Sequence, residues 1–208
     1  VSTINNKICG QTIDGPLTTP LPDYLHMFFQ QCVATGVEYV VMEVSAQALT
    51  LHRVDGIEFN GVIFTNFDQE HAEFYSSMEE YFQAKCLIFN QIKNGAPVLI
   101  NADDRSGQAI LEHHSAFMRF GLGRPGDISV DNVHTTLDGL CFDLNTSDGI
   151  KKFSCSTLVG EFNLYNLLGC IALAQQLGIS YEQCAHSVQT IPHIPGRLER
   201  YTLSNGAY

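Results

Sequence analysis

The chain is short of positive charge: 11 Lys and Arg stand against 22 Asp and Glu in 208 residues, a formal net charge of −11. No cationic surplus exists to displace counterions from nucleic-acid phosphates, which argues against a nucleic-acid partner. An acidic chain still accepts a phosphate ligand when bound magnesium supplies the positive charge. Paired cysteines are also absent. The seven cysteines (Cys9, Cys32, Cys86, Cys141, Cys155, Cys170, Cys184) are scattered with no CxxC, as reduced thiols serving as small apolar fillers would be. No apolar run approaches a membrane span and no signal peptide opens the chain, so the sequence predicts a cytoplasmic protein without membrane insertion. Missing, too, is the phosphate-cradling GxxxxGK[ST] loop, since no lysine follows a glycine. The glycine-rich stretch at 121–126 is only a weak match, lying between strand-like segments with no helix after it. The chain opens at Val1 without a methionine and stops soon after a proline-rich turn; it reads as an excised middle piece.

What is present has the size and apolar content, 45% hydrophobic, of a globular protein with a substantial core. Thr19-Pro20 is a helix start, a hydroxyl cap before a proline; Leu25, Phe28, Phe29, Cys32 and Val33 recur at helical spacing and Gly36 closes the helix. Residues 39–44 and 61–66 are apolar strand candidates, the first read as buried on both faces of a parallel sheet. A short helix is expected over 45–51, and Ser77 with Glu80 makes a capping box opening a helix to about Ile92. Residues 98–100 form a further strand, with Asn101 to Asp104 turning into the next helix. From about 117 to 159 the pattern changes to short alternating segments (118–120, 128–134, 140–144, 152–156), broken at Gly126, Asp138-Gly139 and Asp148-Gly149. That reads as a small antiparallel layer. Helices return over 163–177 and 181–190. The class is α/β: a mostly parallel sheet flanked by helices, with a small antiparallel layer.

Lys85 is the sharpest anomaly, because Tyr81, Ile88, Phe89 and Ile92 place it within the apolar arc of its helix. An inward lysine must be paired, snorkel to the surface, or lose its charge. A neutral amine captures carbon dioxide, and the resulting carbamate would be an oxygen ligand for magnesium. Glu43 ends an apolar strand candidate; it either binds a cation or serves as a cap or ion-pair partner. His71, in an acidic loop, reads alone as a surface histidine, and an imidazole is an unusual ligand for magnesium. Thr18 and Thr19 place hydroxyls at a helix start, which suits an anion or simple capping. Asn163 and Asn166 share a helix face, where they read a purine edge or cap the helix. Arg197 clamps a phosphate or pairs with Glu199.

Eight blocks in order resemble the central domain of the Mur ligases, in the branch that adds the third residue of the peptidoglycan stem peptide. They are LTTP (17–20), MEVSAQAL (42–49), HRVDG (52–56), FTNFDQEH (64–71), SMEEYFQAK (77–85), INADD (100–104), GEFNLYN (160–166) and GRLE (196–199). The resemblance implies a domain over 1–196 lacking the P-loop strand and helix, with 197–208 starting the linker to a further domain. It implies Lys85 as a carbamylated lysine, with Glu43 and His71, at a magnesium site. Thr18, Thr19, Ser45 and Arg53 would face a UDP-MurNAc-dipeptide, and Asn66, Asn163, Asn166 and Arg197 the ATP. The implied reaction forms an acyl phosphate on the dipeptide and then an amide with a diamino acid, by parts this segment alone does not hold. The family pattern has Ser-Ser-His where this chain has Ser45-Ala46-Gln47, and Asp-His where it has Glu70-His71. Two other readings share the fold: another amide ligase (folylpolyglutamate, cyanophycin or lipid II-amidating type), or a domain that keeps the fold without catalysis.

Overall fold

Val98 to Asn101 are buried at every position, the mark of a strand covered on both faces. Around it the computed structural model, which describes residues 1–15, 17–68, 74–122 and 128–198, sets out an α/β chain. In chain order the elements are β1 (Asn6–Ile8), β2 (Gln11–Ile13), α1 (Pro22–Ala34), α2 (Ala46–Thr50), β3 (Val62–Phe64) and α3 (Met78–Cys86), followed by a 3-10 turn over Leu87–Gln91. Then come β4 (Val98–Asn101), α4 (Arg105–His113), β5 (Met118–Phe120), β6 (Ser129–Thr136), β7 (Gly139–Thr146), β8 (Gly149–Cys155), α5 (Glu161–Gln176) and α6 (Tyr181–Gln189). No helix among the described residues is long and apolar enough to cross a membrane.

The chain divides into two units. The first, residues 1–59 and 68–94, holds the β1–β2 hairpin, α1, α2 and α3. Its cores are Leu25, Leu49 and Val54, and separately Ile8, Phe28 and Cys32. The second, residues 60–67 and 95–208, carries both larger sheets. There β3, β4 and β5 run parallel in that order, and β6, β7 and β8 form an antiparallel meander. In β7, Leu140, Phe142 and Leu144 point inward while Cys141 faces solvent, the period-2 pattern of a half-buried sheet. Phe142 stacks on its cross-strand partner Phe153 at 5.1 Å. Helix α5 buries Leu164, Leu167, Leu168, Ile171 and Ala172. At Gly169 it comes so close to Ile63 and Phe120 that an added Cβ would lie about 3 Å from both.

Three local expectations give way. Residues 39–44 join no sheet, and Tyr39, Val40 and Val41 are 57%, 41% and 84% exposed. Apolarity makes a segment extended, but a strand needs a ladder. Here the backbone bonds run to Val1, whose nitrogen donates to the Val41 carbonyl (2.8 Å) and whose carbonyl accepts from Glu43 N (3.0 Å). Helix α1 begins at Pro22 rather than Pro20, with no side-chain cap, because the Thr19 hydroxyl is engaged elsewhere. The helix after Ser77 changes to 3-10 geometry at Leu87. Its capping box is half made: Ser77 Oγ accepts from Glu80 N, while the Glu80 carboxylate accepts from the amide and hydroxyl of Ser76. The cysteines are all free among the described residues, with Cys32, Cys155 and Cys184 buried as fillers.

Gly107 decides between two opposed effects. Alanine in a helix interior is favoured over glycine by about 1 kcal/mol. A Cβ here, however, would sit 2.0 Å from the Asn101 carbonyl oxygen, and overpacking of that kind costs about 1–3 kcal/mol. Gly107→Ala is therefore predicted to lower the urea midpoint of unfolding, not raise it.

Candidate functional site

Within the first unit, polar groups gather where the Thr18–Thr19 turn meets the 42–45 segment. Thr19 is fully buried; its hydroxyl donates to the Glu43 carbonyl (2.8 Å) and accepts from Ser45 N (3.0 Å). The side chain expected to face a ligand is thus spent internally. Ser45, in turn, caps α2 through its hydroxyl, which accepts from Ala48 N at 3.2 Å. Arg53 reaches the Thr19 carbonyl through Nη1 (3.2 Å), while its buried Nε has no hydrogen-bond partner among the described residues.

Glu43 lies exposed beside this turn, and one of its oxygens is pinned. Oε2 accepts from both the amide (2.8 Å) and the hydroxyl (2.7 Å) of Thr3. Thr3 Oγ1 also lies 3.0 Å from Thr18 Oγ1. A hydroxyl has one proton to give. The Thr3 proton goes to Glu43, so Thr18 must be the donor in the second bond. Thr18 is left with lone pairs to offer a ligand, which suits an N–H or O–H group rather than a phosphate oxygen. Thr3 went unnoticed in the sequence because it is separated by 40 residues from the carboxylate it holds.

Lys85 occupies the last turn of α3, where a cation complements the helix dipole, and its Nζ sits 5.5 Å from the Tyr81 ring centre. Tyr81 stacks on Tyr75 at 5.1 Å, and the Tyr75 hydroxyl lies 3.0 Å from Thr50 Oγ1 on α2. Lys85 is half-buried against aromatic surface in the same unit as Glu43. His71, with Glu70, lies outside the described residues. Among those described, no three His, Cys, Asp or Glu side chains form a metal-binding group.

The second unit gathers a different set at the carboxyl ends of its parallel strands, where open α/β sheets receive ligands. Gly61 approaches Leu173 and Ile63 approaches Gly169, so α5 runs antiparallel to β3. The helical rise then brings Asn163 and Asn166 level with the end of β3, beyond which Asn66 lies exposed. Asn163 is 9% exposed; its Nδ2 donates to the Val159 carbonyl (2.8 Å), and Asn166 donates to its Oδ1 at 3.5 Å. Asn166 itself is exposed. Arg197 is exposed in a turn closed by its own amide to the Ile194 carbonyl, and Glu199 lies outside the described residues.

Asp103 and Tyr165 belong to this edge and were not singled out in the sequence. Asp103 Oδ2 accepts from the Tyr165 hydroxyl (3.0 Å) and from Leu122 N just beyond β5, tying the turn after β4 to α5. Gly121 lies so close that a Cβ would stand 2.7 Å from that oxygen. Burial first, then the Asp103 hydrogen bond, pushes the Tyr165 phenol up to about 12. The neutral form is thus favoured in the folded state. Its contribution to stability is complete below the ordinary phenol pKa of about 10 and is lost as pH rises from there to about 12. Tyr165→Phe is predicted to flatten that alkaline loss, read as the change in unfolding midpoint between pH 10 and 12.

The Mur ligase middle-domain model matches residues 1–174. The chain is 35% identical over 205 residues to the UDP-N-acetylmuramoyl-L-alanyl-D-glutamate–2,6-diaminopimelate ligase of Gloeobacter violaceus, covering 99% of this chain and 42% of that protein. It is 34% identical over 203 residues to ligase 1 of the same description from Clostridium acetobutylicum, covering 97% of this chain and 41% of the relative. A solved structure of a ligase of this description superposes with a TM-score of 0.82 at 23% identity, over 95% of this chain and 41% of the other. The chain thus spans about two fifths of the length of these relatives. Its folded core, its block order and the matched span make it a member of the Mur ligase middle-domain family.

Proposed function

We propose that this chain is the central domain of an ATP-dependent amide ligase that joins diaminopimelate to UDP-MurNAc-L-Ala-D-Glu in peptidoglycan precursor synthesis. Relatives named for that reaction align over 97–99% of the chain. The geometric observation that carries the reading is Glu43, an exposed carboxylate with Oε2 fixed by two donors and Oε1 without a hydrogen bond among the described residues. An oxygen ligand of this kind suits magnesium. Glu43, His71 and Lys85 would hold the ion, with Lys85 acting as its carbamate: the neutral amine adds to carbon dioxide and releases one proton. Bound magnesium would supply positive charge against the phosphates.

On this reading the dipeptide's terminal carboxylate attacks the γ-phosphate of ATP, releasing ADP and forming an acyl phosphate. The amine of the incoming diamino acid then adds to that carbonyl, and the tetrahedral adduct expels phosphate to leave the amide. Arg53, with its unpaired Nε, would meet an anionic oxygen of the UDP-MurNAc-dipeptide, and Thr18 would accept from one of its N–H or O–H groups. Ser45 and Thr19 would act by holding the 43–45 backbone in place. Asn66, Asn163, Asn166 and Arg197 would line the nucleotide side, with Asn166 and Arg197 exposed for it. The work of these groups is positioning and charge stabilisation.

With the further segments that the relatives possess, Lys85→Ala is predicted to lower ATP-dependent amide formation by at least about a hundredfold, in line with loss of a ligand-positioning group. Wild-type turnover in that variant would end the carbamate assignment. The 208-residue chain alone, given ATP, magnesium, the UDP-dipeptide and diaminopimelate, is predicted to release no phosphate above background.

A further inference from the structure

The proton count around Glu43 makes Thr3 more than a neighbour. We infer that Thr3 is a positioning residue for the divalent cation: it fixes the Glu43 carboxylate so that Oε1 faces the ion. This rests on the proposed role of Glu43 as a metal ligand and adds a residue that the sequence blocks leave out. A glutamate side chain has three rotatable bonds, and an exposed one must lose that freedom to hold an ion. Thr3 removes much of that freedom in advance. Its amide and hydroxyl both bind the same oxygen, at 2.8 and 2.7 Å, as a two-pronged clamp. Hydrogen bonds to a charged acceptor are among the stronger ones, about twice a neutral pair. The clamp leaves the other oxygen for the cation, an outer-shell arrangement of the kind that orients ligands in metal sites.

The clamp is itself supported. Asn6 is fully buried three residues on; its Oδ1 accepts from Ser2 N (3.3 Å), and its Nδ2 donates to the Tyr24 hydroxyl on α1 (2.8 Å). Ser2 Oγ donates to the Asn5 carbonyl at 3.0 Å. The backbone on either side of Thr3 is thus fastened by bonds that do not involve Glu43. Thr18 completes the line by donating to Thr3 Oγ1 at 3.0 Å, which leaves the Thr3 proton committed to the carboxylate.

The test is a manganese titration of the 208-residue chain in bicarbonate buffer, following free Mn2+ by electron paramagnetic resonance. Thr3→Val keeps the shape and the amide prong and removes the hydroxyl; it should weaken binding about tenfold, the lower end for outer-shell partners of a metal ligand. Thr3→Ser restores the hydroxyl and should bind as the wild type does. Thr3 is exposed, so both variants should keep the wild-type unfolding midpoint. Glu43→Gln, run alongside, separates the two layers of the argument. If Glu43→Gln loses binding while Thr3→Val retains it in full, the role of Thr3 is wrong and that of Glu43 stands. If Thr3→Ser is as weak as Thr3→Val, the hydroxyl is not the agent and the inference also falls. If Glu43→Gln binds like wild type, or the wild-type chain binds no manganese, the metal reading fails and takes the inference with it.

Discussion

One buried hydroxyl organises the first unit. Thr19 is inaccessible to solvent, and a hydroxyl so placed without partners would cost about 1–3 kcal/mol. It has two: it donates to the Glu43 carbonyl and accepts from the Ser45 amide. These bonds fasten the turn before α1 to an extended segment that belongs to no sheet. The Glu43 side chain and the Ser45 cap of α2 inherit their positions from that fastening. Arg53 adds a third strand to the knot by donating to the Thr19 carbonyl. A residue whose hydroxyl looks made for a ligand therefore acts by fixing the groups around it.

The second unit solves a similar problem with a carboxylate. Asp103 sits in the turn after the fully buried strand β4 and receives the Tyr165 hydroxyl from α5 and the Leu122 amide from beyond β5. Gly121 permits the approach, since any Cβ there would crowd the carboxylate. Tyr165 lies between Asn163 and Asn166 in sequence, so the same contact sets the first turns of α5. Glu43 in the first unit and Asn166 in the second, both proposed to meet ligands, are each bonded to a neighbour that has further partners within the fold.

Much of the fold could be read from the sequence because it depends on local pattern. Strand β5 was expected over the very residues it occupies, and the antiparallel meander followed from alternation broken at Asp138-Gly139 and Asp148-Gly149. Helices α5 and α6 differed from expectation only at their ends. Failures came where tertiary partners decide. Residues 39–44 have strand composition, yet composition supplies no neighbouring strand. Pro20 resembled a first helical residue, but Thr19 was recruited by the backbone of residues 43–45 and the helix starts at Pro22. The site divides in the same way. Glu43 and Lys85 stood out as charges in apolar surroundings. Thr3, Asp103 and Tyr165 are ordinary in their local context and gain meaning through bonds to residues 40 or 62 positions away.

Glu43 and Lys85 are proposed to hold a divalent cation, with one oxygen of Glu43 reserved for Thr3. The most direct measurement is a crystal structure of the protein grown with manganese and bicarbonate, using anomalous scattering to find the ion. The expected result is a manganese peak on Glu43 Oε1, Oε2 still bonded to Thr3, and carboxylate density added at Lys85 Nζ. A site without manganese, or manganese bound elsewhere with Lys85 unmodified and Glu43 turned away, would contradict it.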